Sequence, residues 1–303
     1  MSIISAIGNT PLVELTHLNS KRPGVRLFGK LEGANPGGSI KDRPAYYMIE
    51  KAEQSGALVP GKTILEATSG NTGIAVAMIG AAKGYRVKLC MPECVSTERQ
   101  QILRALGAEV VLTPAREATD GSIRRAHQLL ESEPDTYYMP NQFENESNIL
   151  AHYETTGPEV FAQTNGRIDV FVAGMGTTGT LMGVKRYFRE KKPQTKVVGV
   201  EPGVCHTIQG LKNMSESIVP GIYDPNLLDE KVTVEDGEAF ETTRLLAARE
   251  GIFVGMSSGA AVAGALQVAR RMSEGTIVVI LPDRGDRYLS TTLFRSICAK
   301  CPP

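Results

Sequence analysis

Short apolar runs alternate with segments of helical periodicity along most of this chain, and that alternation leaves few folds open to it. The runs are Val25–Leu31, Thr63–Ala67, Arg86–Met91, Glu109–Thr113, Asp169–Gly174, Lys196–Glu201 and Thr276–Pro282. Several are rich in Val, Ile and Leu on both faces, the pattern of parallel strands covered by helices. Between them, helices are expected at Lys41–Ser55, Thr72–Lys83, Ser96–Leu106, Gly121–Glu133, Glu154–Gln163, Gly179–Glu190, Gly237–Glu250 and Ser258–Met272. Gly56, Gly84, Gly107 and Gly251 follow helical segments and read as C-terminal caps, and Ser96 reads as an N-cap. The alternation predicts an α/β fold with right-handed crossovers. Two α/β lobes are expected, one around residues 42–145 and one from the remainder. The Gly-, Pro-, Asn- and Ser-rich stretch Pro202–Leu228 is long for a connection and reads as a substrate-facing flap.

Composition narrows the function. Lysine plus arginine total 33 and aspartate plus glutamate total 33, a balance that argues against general nucleic-acid or membrane-surface binding. No apolar run approaches the ~20 residues that span a bilayer. Met1-Ser2-Ile3-Ile4-Ser5 lacks a basic region followed by an apolar stretch, so no signal peptide and a cytoplasmic location are expected. The five cysteines, at 90, 94, 205, 298 and 301, are too sparse for a disulfide framework. Cys298 and Cys301 form a CxxC with no second half, and the histidines share no ligand spacing, so no metal is expected.

Three loops carry the chemistry. Lys41 heads a helix behind Asn35-Pro36-Gly37-Gly38-Ser39-Ile40. An ammonium is disfavoured at the positive end of a helix, and that field with some desolvation lowers a lysine pKa and frees the amine as a nucleophile. Gly174-Met175-Gly176-Thr177-Thr178-Gly179-Thr180 joins an expected strand to an expected helix, a setting that cradles phosphate. The same string matches GxGxxG, with Glu201 ending the next strand, so a dinucleotide dehydrogenase competes. Thr68-Ser69-Gly70-Asn71-Thr72-Gly73 opens another helix and suits a carboxylate, although such loops are usually plain turns. Ser257-Ser258-Gly259 reads as a helix cap, or as a hydroxyl for a pyridine nitrogen. Asp283-Arg284-Gly285-Asp286-Arg287-Tyr288 reads by default as a solvated ion-pair turn, or as the edge of a ligand site beyond the last strand.

Taken together and in order, these motifs resemble the cysteine synthase (O-acetylserine sulfhydrylase) family of fold-type II pyridoxal-phosphate enzymes. The resemblance runs from Ile7-Gly8-Asn9-Thr10-Pro11-Leu12 to Tyr288-Leu289-Ser290-Thr291. It implies two open, twisted α/β subdomains of the tryptophan synthase β-like class. Residues 1–41 and 146–303 would form the large cofactor-binding one, and residues 42–145 the small mobile one. It implies pyridoxal 5'-phosphate as cofactor, a small activated serine and a sulfur donor as partners, and a homodimer. Lys41 would hold the cofactor covalently and then act as the base at the substrate Cα. Asn71 would bond the ring 3′-oxygen, Gly176, Thr177, Thr178, Gly179 and Thr180 the phosphate, and Ser257 the pyridine nitrogen. Thr68, Ser69, Thr72 and Gln142 would hold the substrate α-carboxylate.

The implied reaction is β-replacement making L-cysteine from O-acetylserine or O-phosphoserine. The Asp283–Tyr288 string and Ile208-Gln209-Gly210-Leu211-Lys212-Asn213-Met214 are similar to the B-type isozyme. Lys212 would meet a substrate phosphate, although as a point charge without arginine's fork, and a solvated flap residue is an equal reading of it. A cystathionine β-synthase-like or serine/threonine dehydratase activity on the same fold, and a degenerate partner-binding protein, remain alternatives.

Overall fold

The computed structural model describes residues 2–20, 23–68 and 70–294; Cys298 and Cys301 lie outside them. Among the described residues the chain forms ten strands and nine α-helices. The strands are β1 (Leu12–Glu14), β2 (Val25–Leu31), β3 (Thr63–Ala67), β4 (Arg86–Pro92), β5 (Glu109–Thr113), β6 (Tyr137–Tyr138), β7 (Val170–Gly174), β8 (Lys196–Pro202), β9 (Glu230–Val234) and β10 (Gly275–Leu281). The helices are α1 (Asp42–Ser55), α2 (Asn71–Lys83), α3 (Thr97–Ala105), α4 (Ala118–Ser132), α5 (Glu146–Ala151), α6 (Gly157–Gln163), α7 (Gly179–Lys191), α8 (Asp236–Glu250) and α9 (Met256–Ala269).

The strands form two sheets. One has six strands in the order β1-β2-β10-β7-β8-β9, and the other four in the order β5-β4-β3-β6. All pairings are parallel except β1 with β2. The alternation of side chains along a strand explains the apolar runs. On β10, Ile277, Val279 and Leu281 face one core with α9, while Val278 and Ile280 face another with α7. On β3, Ile64 packs toward α1 and α2, and Leu65 and Ala67 toward Ala126 of α4. The chain is therefore a mixed α/β protein whose sheets are covered on both faces.

Some expectations needed correction. β1, β6 and β9 have no counterpart among the expected strands. The helix expected at Glu154–Gln163 begins earlier, as α5, and passes through a π-helical turn, His152–Thr156, into α6. Ser96 stands at the N-cap of α3, but its hydroxyl does not cap the helix; it donates to the Arg287 carbonyl at 2.9 Å. Gly56, Gly84 and Gly251 do close their helices in the left-handed conformation. The stretch 202–228 is anchored rather than free. Ile208 and Leu211 are buried in the core of the large sheet, and the Lys212 amide donates to the Met175 carbonyl at 2.8 Å.

Candidate active site

Four strands, β3, β4, β7 and β10, end at one cavity of about 450 Å³. Ligands of open α/β sheets collect beyond such carboxyl ends. The loops after β3, β7 and β10 supply Thr68, Gly176 and Pro282 to its wall, and the turn before α1 supplies Lys41.

Lys41 is the N-cap residue of α1, and its backbone is held on several sides. The Ile40 amide donates to the Pro282 carbonyl at 2.8 Å, and Gly38, in the left-handed region at φ 78°, donates to the Asn35 carbonyl at 2.7 Å. Arg287 donates to the Gly37 carbonyl, and the Gly37 amide to Asp42 Oδ2 at 2.5 Å. The Lys41 ammonium has no hydrogen-bond or ion-pair partner among the described residues. Burial is the first cause that holds its pKa below the ordinary lysine value; the carboxylates of Asp283 and Glu32 act the other way. The helix-end field invoked from sequence is thus not the leading cause. The consequence is the same: an amine inclined to be uncharged, open to the cavity.

The turn after β7 forms a cup. Thr178 adopts the left-handed conformation at φ 68°, which turns the chain into α7 at Gly179. The three threonine hydroxyls are not equivalent. Thr178 spends its hydroxyl hydrogen on the Thr177 carbonyl at 2.6 Å. Thr177 Oγ1 accepts from Asn148 Nδ2 at 3.1 Å, and Thr180 Oγ1 lies 3.2 Å from His152 Nε2. Gly176 is a place where only glycine fits: a Cβ there would stand 2.7 Å from the Gly210 carbonyl. Gly176→Ala must displace the 208–212 segment, and affinity for the cofactor phosphate is expected to drop about tenfold or more, read by titrating stripped protein with pyridoxal phosphate. The rival dinucleotide reading loses its ribose acid. Glu201 accepts from the Met214 amide at 2.7 Å, pairs with Lys231 at 3.3 Å and does not line the cavity.

The loop after β3 faces the cup. Thr68 Oγ1 accepts from the Gly70 and Gly73 amides at 3.0 and 3.3 Å. Thr72 donates to Gln142 Oε1 at 2.6 Å, and Gln142 Nε2 to the Ala67 carbonyl at 3.2 Å. Ser69 lies outside the described residues. Asn71 donates to Asp283 Oδ2 at 2.6 Å and accepts from Arg287 at 2.6 Å, which leaves one amide hydrogen for a ligand. Ser257 sits in the first turn of α9 and lines the cavity, and its hydroxyl has no partner among the described residues.

The charged string after β10 divides in two. Arg284 and Asp286 make the solvated pair expected by default, at 3.2 Å. Asp283, Arg287 and Tyr288 are buried, with Tyr288 donating to Asp283 Oδ2 at 2.5 Å. Lys212 is not a solvated flap residue. It lines the cavity with its nitrogen 3.7 Å from Asp120 and 5.0 Å from the Phe143 ring centre, and burial lowers its pKa. Arg99 of α3 also lines the cavity, donating to Gln209 and stacking 4.6 Å from the Tyr288 ring centre. Sequence reasoning missed Arg99, Asn148 and His152, and singled out Asp283 only as part of the 283–288 string.

A single cavity thus offers a half-buried amine and a serine, both without partners among the described residues, and a helix-end cup rich in N–H and hydroxyl donors. These suit a phosphorylated pyridine aldehyde. Comparison with known proteins agrees. The family model described as pyridoxal-phosphate dependent enzyme matches residues 3–283. The chain is 49% identical over 288 residues to cysteine synthase B of Salmonella typhimurium, covering 95% of this chain and 94% of that one. It is 45% identical over 300 residues to the cysteine synthase of Aquifex aeolicus, covering 97% and 92%. Among solved structures, O-ureido-L-serine synthase superposes with a TM-score of 0.92 at 41% identity, covering 99% of this chain and 96% of that one. Cysteine synthase from Entamoeba histolytica superposes with a TM-score of 0.90 at 39% identity, covering 96% and 90%. A match of this extent, through every loop that builds the cavity, means that the chain belongs to the pyridoxal-phosphate dependent enzymes, in their cysteine synthase branch.

Proposed function

We propose that this protein makes L-cysteine by β-replacement, exchanging the β-substituent of an activated serine for sulfur. The observation that carries the reading is Lys41: a half-buried amine with lowered pKa, without a hydrogen-bond or ion-pair partner among the described residues, in the same cavity as the threonine cup and Ser257. When bound, pyridoxal phosphate supplies the electron withdrawal that acidifies the substrate Cα–H and lets the β-substituent depart. Gly176 to Thr180 bind its phosphate through amide and hydroxyl donors. Ser257 meets the ring nitrogen as a neutral hydroxyl, which leaves that nitrogen less positive than a carboxylate would. Asn71 bonds the ring oxygen with its remaining amide hydrogen. Lys41 would hold the cofactor, and its Nζ, once released by a bound substrate, would take and return the proton at the substrate Cα.

Thr68, Ser69, Thr72 and Gln142 receive the substrate carboxylate. The existing Thr72–Gln142 and Gln142–Ala67 bonds preorganise that loop. Residues 42–145, built around the four-stranded sheet, act as the smaller subdomain that closes on substrate and excludes water. Residues 1–41 and 146–303 form the larger one. Two chains associate as a homodimer, a reading that rests on the family resemblance and is tested by sedimentation. Among the described residues no helix is long and apolar enough to cross a membrane, and Cys90, Cys94 and Cys205 are free thiols; a cytoplasmic location accords with both.

Feeding O-acetylserine with sulfide, against serine with homocysteine, tests the reaction. Preferred turnover of the second pair assigns a cystathionine β-synthase-like activity instead. Lys212 takes the phosphate when the activated serine is O-phosphoserine, since it is the cavity's lysine other than Lys41. Lys212→Ala is expected to lower kcat/KM for O-phosphoserine about tenfold while changing that for O-acetylserine less than about twofold. Equal effects on both would remove the selective role.

A further inference from the structure

We propose that Asn148 is a positioning residue that couples the substrate-carboxylate loop to the cofactor-phosphate cup. The inference rests on the function proposed above, because it assigns Gln142 to one site and Thr177 to the other. Asn148 lies on α5, just beyond the 42–145 segment, and is 1% exposed. Its Nδ2 donates to the Gln142 carbonyl at 2.8 Å and to Thr177 Oγ1 at 3.1 Å. Both amide hydrogens are thus committed, one toward each site. The carbonyl partner also fixes which end of the amide is nitrogen, an assignment that must otherwise be inferred.

Three consequences follow from this geometry. Because Thr177 accepts from Asn148, its own hydroxyl hydrogen is free to point into the cup, unlike that of Thr178. Because Asn148 grips the Gln142 backbone, a shift of Gln142 as its side chain turns from Thr72 to a substrate carboxylate reaches Thr177 through one side chain. The contact has no slack. Asn148 Oδ1 is buried without a hydrogen-bond partner among the described residues and lies against the first residue of α7, where a Cβ on Gly179 would overlap it. A Cβ on Gly183 would likewise overlap the Ile149 carbonyl of α5, so α5 and α7 are packed at glycine distance. Close-packed elements transmit displacement rather than absorb it.

The test uses the holoenzyme. The phosphorus resonance of bound pyridoxal phosphate is recorded by ³¹P NMR before and after adding L-serine, with the visible absorption followed in parallel. In the wild-type chain both signals are expected to move. In Asn148→Ala the visible change, which reports amino-acid binding, is expected to remain, while the phosphorus shift is lost. Cofactor affinity is expected to fall about tenfold, the equivalent of one neutral hydrogen bond. Asn148→Asp is expected to bind the cofactor more weakly than Asn148→Ala, since it sets a carboxylate beside a phosphate. Thr177→Val removes the acceptor of Asn148 together with the hydroxyl donor on the cup side, leaves the Asn148–Gln142 bond in place, and is expected to lose the phosphorus shift too, which keeps the test open if the Asn148 variants fold poorly. A phosphorus shift that survives in both Asn148→Ala and Thr177→Val overturns the coupling. Absence of any visible change in the wild-type chain would instead sink the proposed function itself.

Discussion

Lys41→Ala is expected to lower turnover on the order of 10⁴-fold, the upper range for loss of a general base. The variant keeps the threonine cup and Ser257, so it is expected to take up pyridoxal phosphate without covalent attachment. Borohydride then leaves no cofactor on the peptide that contains position 41, and small primary amines added to the buffer restore part of the rate. Retained turnover in Lys41→Ala would end the mechanism. A second consequence has the opposite sign. A lysine whose folded pKa lies below 10.5 binds fewer protons folded than unfolded, so it lowers stability wherever the unfolded amine is protonated. Lys41→Met keeps the apolar stem and removes the amine. In cofactor-free protein it is expected to raise the melting temperature by roughly 2–4 °C for each kcal/mol recovered. The gain fades as the pH rises toward 10.5, where unfolded lysine is itself uncharged. Catalytic amines are commonly held at such a cost.

The legibility of this chain follows the range of the interactions involved. β2, β3 and β5 have the bounds expected from their apolar runs; β3 is buried at every position, as a central parallel strand is, whereas β5 lies on a sheet edge and is marked by Val110-Val111-Leu112 with only Thr113 buried. β9 escaped notice because Glu230 and Lys231 open it on the sheet edge, where one side of the strand meets solvent. β6 is two residues long and owes its existence to pairing with β3, more than seventy residues earlier. The glycine and threonine loops were readable because each is a local device. The residues that hold them were not. Asn71 meets Asp283 across 212 positions, and Arg99 meets Gln209 across 110. No local spacing signals such contacts. The turn 283–288 looked like a surface ion pair because its formula contains one; that Asp283 turns inward depends on Tyr288, at the far end of the same turn, and on Asn71, which arrives from elsewhere.

The largest effect on stability is expected from Arg43, two residues after the catalytic amine. Its side chain is wholly buried between two carboxylates. Nε and Nη2 donate to Glu32 at 2.7 and 2.9 Å, and Nη1 and Nη2 to Glu159 at 2.6 and 2.8 Å. Lys30 adds a bond to Glu159 at 2.7 Å, and Glu159 receives the Asn9 amide at 2.8 Å. One cluster therefore ties the N-terminal strap, β2, α1 and α6 together behind the Lys41 turn. Arg43→Ala leaves the buried carboxylate of Glu32 and the half-buried one of Glu159 with Lys30 as the remaining cation of the cluster. Breaking a buried pair in this way costs about 3–5 kcal/mol, to be measured by urea unfolding. Pairing Arg43→Met with Glu32→Gln is expected to recover much of the loss, because it removes charge from both sides at once. Acid probes the same contacts. Burial alone would raise the Glu159 pKa, but Arg43 and Lys30 overcome it and hold the carboxyl at about 2 against an ordinary 4.5. Its contribution is thus present above 4.5 and lost as the pH falls toward 2. In Arg43→Ala that acid-dependent loss is expected to shrink, since the charge that depresses Glu159 is gone. A cost below about 1 kcal/mol, with the acid limb unchanged, would show that the cluster is not what fixes the start of α1 and the amine it presents.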